Sequence, residues 1–262
     1  TELYAYVAFL VIVLTYGLET AFFRFSKPDN DVKVVYSTVL ISLIISSLLF
    51  VILMFISSVS IANWMGYSGH TEYIEWFAII IALDAISSIS FAKLRAQNKA
   101  IRFASIRLVN IFVNISLNIY FIVYQEFGIE YIFLANLIAS IITLVMLLPE
   151  MINSSWSFDK SLWKKMMIYA LPLLIAGLAG MTNETIDRIL LKHLLPNSDS
   201  AASELGLYGA FYKLSIIMTL FIQTFRFAAE PFFFAQEKEG NSRKIYADVM
   251  KYFTIIMTII FL

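Results

Sequence analysis

Arg107, Asn110, Asn114 and Asn118 recur at intervals of 3, 4 and 4 residues within a stretch made mostly of Ile, Leu, Val and Phe. At 100° per residue that spacing puts all four on one helical face. An ionised Arg inside a membrane-spanning helix costs about 2.5–3.5 kcal/mol on insertion scales, so the stripe must turn towards other helices or water rather than lipid. Two kinds of chemistry are open to it. Asparagines bond across helices and act as glue, which is the better account of Asn110, Asn114 and Asn118. A guanidinium in a water- or substrate-lined cavity binds anions, which is the better account of Arg107.

Other polar groups sit in apolar surroundings. Asp84 stands in mid-run with Ser87 and Ser88 on nearly the same face, and a lone carboxylate there is a candidate for carrying a proton or cation. Further along, Asn183-Glu184-Thr-Ile-Asp187-Arg188 closes an apolar run that contains Pro172, Gly177 and Gly180, positions at which a helix can bend. Glu184 and Arg188 form an i, i+4 pair; Glu184, Asp187 and Arg188 are either a solvated helix end or part of a site. Gln223, Arg226 and Glu230, spaced 3 and 4 and followed by Pro231, share another face. There Arg226 and Glu230 can neutralise one another, as an interfacial anchor or as functional groups. Glu19 lies near the end of the first run and can snorkel or pair with Arg24.

Composition narrows what these groups can serve. Sixty per cent of the 262 residues are hydrophobic and 15% are charged, against about a quarter charged in soluble domains, so a water-facing surface could not be assembled. Net charge is zero, which gives no footprint for nucleic acid. No cysteine is present, and His70 and His193 are far apart, so neither a disulfide nor a metal-ligand pattern is expected. No phosphate loop or nucleophile elbow occurs. The expectation is a transporter without cofactor rather than an enzyme.

A spanning helix needs about 20 mostly apolar residues. Runs of that kind fall near 3–23, 34–57, 72–92, 103–124, 129–149 and 164–184, with a seventh over about 207–229 and an eighth from about 245. The fold class is therefore an all-α integral membrane protein, a polytopic bundle of about eight transmembrane helices. Lys and Arg cluster in alternate connections: Arg24, Lys27 and Lys33; then Lys93, Arg95, Lys99 and Arg102; then Lys160, Lys164 and Lys165. The intervening stretches 58–71 and 125–128 carry neither residue, while the connection after the sixth run holds Arg188 and Lys192 and the one after the seventh Lys238, Arg243 and Lys244. By the positive-inside rule the basic connections are cytoplasmic. Thr1 in place of a start methionine, and an apolar run still open at Leu262, lead us to expect an internal piece of a longer chain. The polar connection 150–165 is the expected boundary between two helical bundles, one over 1–155 and another beginning at 156–262. Glu19-Thr-Ala-Phe22-Phe23 and Glu230-Pro-Phe232-Phe233, each ending a run that opens with Leu-Tyr, fit a parallel repeat.

Tyr16-Gly-Leu-Glu-Thr-Ala-Phe-Phe-Arg-Phe-Ser26, Ala170-Leu-Pro-Leu-Leu, Ile186-Asp-Arg-Ile-Leu-Leu and Gly206-Leu-Tyr-Gly-Ala-Phe-Tyr-Lys213 occur in an order that resembles bacterial polysaccharide-export flippases of the multidrug/oligosaccharidyl-lipid/polysaccharide exporter superfamily. The resemblance implies two bundles around a central cavity, with this chain holding the second to sixth helices of the first bundle and the start of the second. It implies a protein of the bacterial inner membrane that flips undecaprenyl-diphosphate-linked oligosaccharide by alternating access. Substrate-binding candidates are then Arg24, Arg107, Asn110, Asn114, Arg188 and Arg226. Candidates for coupling to protons or sodium are Asp84, Glu184, Asp187 and Glu230. A multidrug or lipid II exporter of the same superfamily, and a membrane-embedded glycosyltransferase or polymerase of the same pathway, are the alternatives. A cationic cavity favours an anionic lipid diphosphate over organic cations, and the short outer connections speak against the enzyme.

Overall fold

A computed structural model describes residues 2–26, 31–65, 69–128, 130–194, 211, 218–234 and 242–261, and among these no strand occurs. The helices are α1 (Glu2–Thr15), α2 (Leu18–Phe25), α3 (Val32–Trp64), α4 (Thr71–Ala96), α5 (Ala100–Asn118), α6 (Tyr131–Ile152), α7 (Lys160–Leu194), α8 (218–234) and α9 (Ser242–Phe261). α5 runs on without interruption into a π-helical segment, Ile119–Tyr124.

Six described helices are long and apolar enough to cross a membrane: Tyr6–Phe25, which combines α1 and α2, then Val32–Trp64, Thr71–Ala96, Ala100–Tyr124, Tyr131–Ile152 and Lys160–Thr182. They coincide with the first six apolar runs. The expected seventh run begins outside the described residues, and its described part, 218–234, is helical. The expected eighth forms α9, but Arg243, Lys244, Asp248 and Lys251 leave it too charged to be counted with the other six. α3, at 33 residues, is about 50 Å long and so exceeds the ~30 Å hydrocarbon layer.

The chain divides into two compact units, Thr1–Leu178 and Ala179–Leu262. In the first, α4 is central and packs against α1, α2, α3, α5 and α6. Its neighbours meet it through a mixture of small, aliphatic and aromatic side chains; in lipid, apolar burial alone gives no preference for protein over lipid, so close packing and hydrogen bonds hold such helices together. Ser37, Thr38, Ser42 and Ser47 of α3 are buried. Leu14 of α1 packs with Ile81 and Ala85 of α4, while Ala62 of α3 packs with Ile74 and Phe77 of α4. The outer side of α3 exposes Ile45, Leu48, Ile52 and Ile56, a lipid-facing row.

The two ends of this unit differ in chemistry. At one end α1 and α3 meet through Tyr6 and Trp64, α4 and α6 through Tyr73 and Phe133, and the π-helical segment and α6 through Phe121 and Tyr131. Rings with a polar tip are enriched at membrane–water interfaces. The opposite end gathers the basic connections: Arg95 pairs with Glu19, Lys93 bonds to the Glu150 carbonyl, and Ser37 bonds to Ser155. The alternation of basic and non-basic connections is thus realised as two physical ends.

One span is broken. Tyr16 (φ 33°) and Gly17 (φ 72°) interrupt Tyr6–Phe25 and separate α1 from α2. The break is held from α3 and α7. Ser42 Oγ lies 2.7 Å from Tyr16 Oη, and Trp163 Nε1 donates to the same hydroxyl at 2.9 Å. Asp159 starts α7 by accepting from the N–H groups of Ser161 and Leu162, while its own N–H donates to Thr38 Oγ1. The first half of α7 therefore belongs to the first unit. In the second unit, α8 and α9 meet through Phe225 against Phe253, and Tyr246 Oη donates to the Phe233 carbonyl at 3.0 Å.

Candidate functional site

Arg107 sits two turns into α5, about 10 Å along the helix from its basic end. Its guanidinium lies 4.2 Å from the ring centroid of Phe91 on α4 and 5.9 Å from that of Phe103, one turn back on α5. The aromatic faces offset part of the cost of a cation at that depth. The residue is nevertheless exposed on the unit. No carboxylate among the described residues lies within ion-pair distance of it, so the guanidinium is available to an anion.

Asp84 lies deeper. It belongs to the central helix, yet it is exposed on the unit. Ser140 of α6 donates to Asp84 Oδ1 at 2.9 Å, while Ser88, on nearly the same face, bonds back to the Ala85 carbonyl. Asp84 and Arg107 are near enough for their charges to interact. A carboxylate and a guanidinium with separate partners, opening from the same bundle, form the polar centre of this unit.

The asparagines of the stripe point at α6. Asn110 Nδ2 donates to Thr143 Oγ1 at 2.9 Å, Asn114 bonds to Asn136, and Asn118 donates back to the Asn114 carbonyl at 2.8 Å. Asn110 and Asn114 join α5 to α6 directly, so the glue reading describes their contacts, while Asn118 bonds within α5. Arg24 is exposed at the end of α2, 5.8 Å from the Tyr169 ring centroid of α7. The backbone of α7 continues helical through Glu184, Asp187 and Arg188, whose side chains lie outside the described residues. Arg226 is exposed and Glu230 half-buried on α8.

Sequence reasoning missed the ionic contacts of the basic end. Glu19 pairs with Arg95 of α4 rather than with Arg24, because α2 lies along α4 and its first turn faces that helix. Glu150 is buried near the end of α6, and Arg102 of α5 forks onto it, Nε to Oε1 at 3.0 Å and Nη2 to Oε2 at 3.2 Å. The signal was the acid itself: Glu150 closes an apolar run in a region otherwise rich in Lys and Arg.

A bundle of at least six apolar helices with charged side chains inside its spans defines an integral, multi-pass membrane protein. Its family model is that of the polysaccharide biosynthesis proteins, which matches residues 3–261, and the chain belongs to that family. Membership places its work in the synthesis or export of polysaccharide. Comparison with curated proteins and with solved structures returned no match.

Proposed function

We propose that the protein is a transporter, not an enzyme, and that it flips undecaprenyl-diphosphate-linked oligosaccharide, such as an O-antigen or capsule unit, from the cytoplasmic to the periplasmic leaflet of a bacterial inner membrane by alternating access. The observation that carries this reading is Arg107: a cation within a span, seated on Phe91 and Phe103 and without a carboxylate partner among the described residues. A diphosphate is the anion that such a lipid brings to that depth, and a guanidinium binds phosphate oxygens through paired N–H donors. Asp84, close by and bonded to Ser140, is the residue that would couple the cycle to protons or sodium. The basic end faces the cytoplasm on this reading, which puts Arg107 about 10 Å inside the leaflet where the substrate is made.

The test is complementation of cells blocked in export of a surface polysaccharide, with the full-length parent protein carrying either Arg107 or Arg107→Ala. The reading expects surface glycan with the parent and at least a tenfold loss with the variant at equal membrane abundance. Unchanged glycan in the variant removes Arg107 from the mechanism. Rescue by an unrelated flippase but not by the parent removes the function.

A further inference from the structure

The basic end of the first unit gathers positive charge from several helices, and part of it is half-buried. Lys93, in the last turns of α4, is half-buried; its ammonium sits 4.0 Å above the Tyr36 ring and donates to the Glu150 carbonyl at 2.6 Å. Tyr36 is fixed by its hydroxyl, 2.8 Å from Ser90 Oγ. Around Lys93 stand Lys33 from the first turn of α3, Lys99 at the start of α5 and Arg102 one turn into α5; Lys33 and Lys99 are exposed and near enough for their charges to act on Lys93. The acids of this corner are already engaged. The Glu150 carboxylate is taken by Arg102, and Asp31 caps α3 through the Lys33 N–H at 2.9 Å. α5 begins with no side-chain cap and no acid in its first turn. The Glu150 carboxylate also acts on Lys93, so the three lysines and Arg102, brought together from three helices, outnumber the described acids of this corner, Glu150 and Asp31.

Basic pockets between transmembrane helices at this level of a membrane take lipid phosphates. We propose that the corner formed by the start of α3, the ends of α4 and α6 and the start of α5 binds the phosphate of an anionic bilayer phospholipid. Lys93 forms the floor, while Lys33 and Lys99 close on the headgroup from either side. The acyl chains then lie along the exposed apolar side of α5, where Leu108, Ile111 and Phe112 face outward. Such a lipid would tie together the ends of four helices. It is separate from the transported substrate and does not depend on the flippase reading.

The experiment is native mass spectrometry of the delipidated full chain titrated with dioleoyl phosphatidylglycerol or dioleoyl phosphatidylcholine. Wild type is expected to retain phosphatidylglycerol preferentially. Each neutralised lysine is expected to weaken retention about fivefold, so Lys33→Gln/Lys99→Gln weakens it about thirtyfold. Both positions are exposed, so this variant keeps the fold. Lys160→Gln/Lys164→Gln removes the same charge from the start of α7 and is expected to retain the lipid as wild type does. Equal retention of the two lipids overturns the proposal, as does an equal loss in both double variants, which would mean net charge and not a site. Displacement of phosphatidylglycerol by millimolar inorganic phosphate would reassign the corner to a free anion and overturn the lipid assignment.

Discussion

A methyl group on Gly17 would stand 2.8 Å from the carbonyl oxygen of Ala170 and 3.2 Å from Leu173 Cβ. α7 therefore approaches the first span closely at the break between α1 and α2, and glycine is required there twice over. Its φ of 72° is a conformation that costs an L-residue about 1–2 kcal/mol, and the atom it would meet is backbone, which cannot rotate away. Gly17→Ala is expected to destabilise the unit by at least ~2 kcal/mol, read as a lower melting temperature in detergent. Gly180, in the interior of α7, is the control. No described atom lies within 4 Å of its Cβ position, so Gly180→Ala should leave stability unchanged or raise it by up to ~1 kcal/mol.

Ser42 makes a second prediction at the same joint. One hydroxyl serves both Tyr16 Oη and Trp163 Nε1. Ser42→Ala leaves two half-buried polar groups without this partner, at a cost of about 1–3 kcal/mol. Removing the tyrosine hydroxyl first shrinks that loss. In a double-mutant cycle, Tyr16→Phe/Ser42→Ala should be less destabilised than the sum of the single variants. Strict additivity would mean that the hydroxyl pair contributes nothing to the joint.

The sequence made the helices legible because each spanning run is long and apolar; the six described spans begin and end within about seven residues of the runs, the largest difference being the end of α3 at Trp64. It also disclosed the stripe of Arg107, Asn110, Asn114 and Asn118, because helical periodicity fixes which side chains share a face. Periodicity says nothing about which neighbour that face meets. So it could not show Thr143 and Asn136 as the partners of the asparagines, Ser140 as the partner of Asp84, or Arg95 as the partner of Glu19. The break at Tyr16–Gly17 was equally hidden: one glycine in an apolar run is common, and only the approach of Ala170 gives this one its role.

The asparagine contacts separate glue from substrate binding by experiment. Interhelical hydrogen bonds of this kind in membranes average about 0.6 kcal/mol. Asn110→Ala and Asn114→Ala should each lower stability by roughly that amount and leave surface polysaccharide near the parent level, in contrast to Arg107→Ala. Export abolished at unchanged melting temperature would place the asparagine in the substrate path instead.

Asp84 allows its charge to be tested apart from its hydrogen bond. Ser140 donates to Oδ1, and an amide oxygen at that position accepts the same bond, so Asp84→Asn keeps the contact to α6 and removes only the charge. Asp84→Ala removes both. If the carboxylate carries a proton or cation through the transport cycle, the two variants lose export alike, by at least tenfold, while only the alanine variant melts earlier. If the carboxylate is simply a partner for Ser140, the asparagine variant exports normally. The decisive measurement is surface polysaccharide at matched membrane abundance, with melting temperatures of the purified variants taken alongside. Normal export by Asp84→Asn would remove ion coupling from this residue and leave α4 and α6 joined there by an ordinary interhelical hydrogen bond.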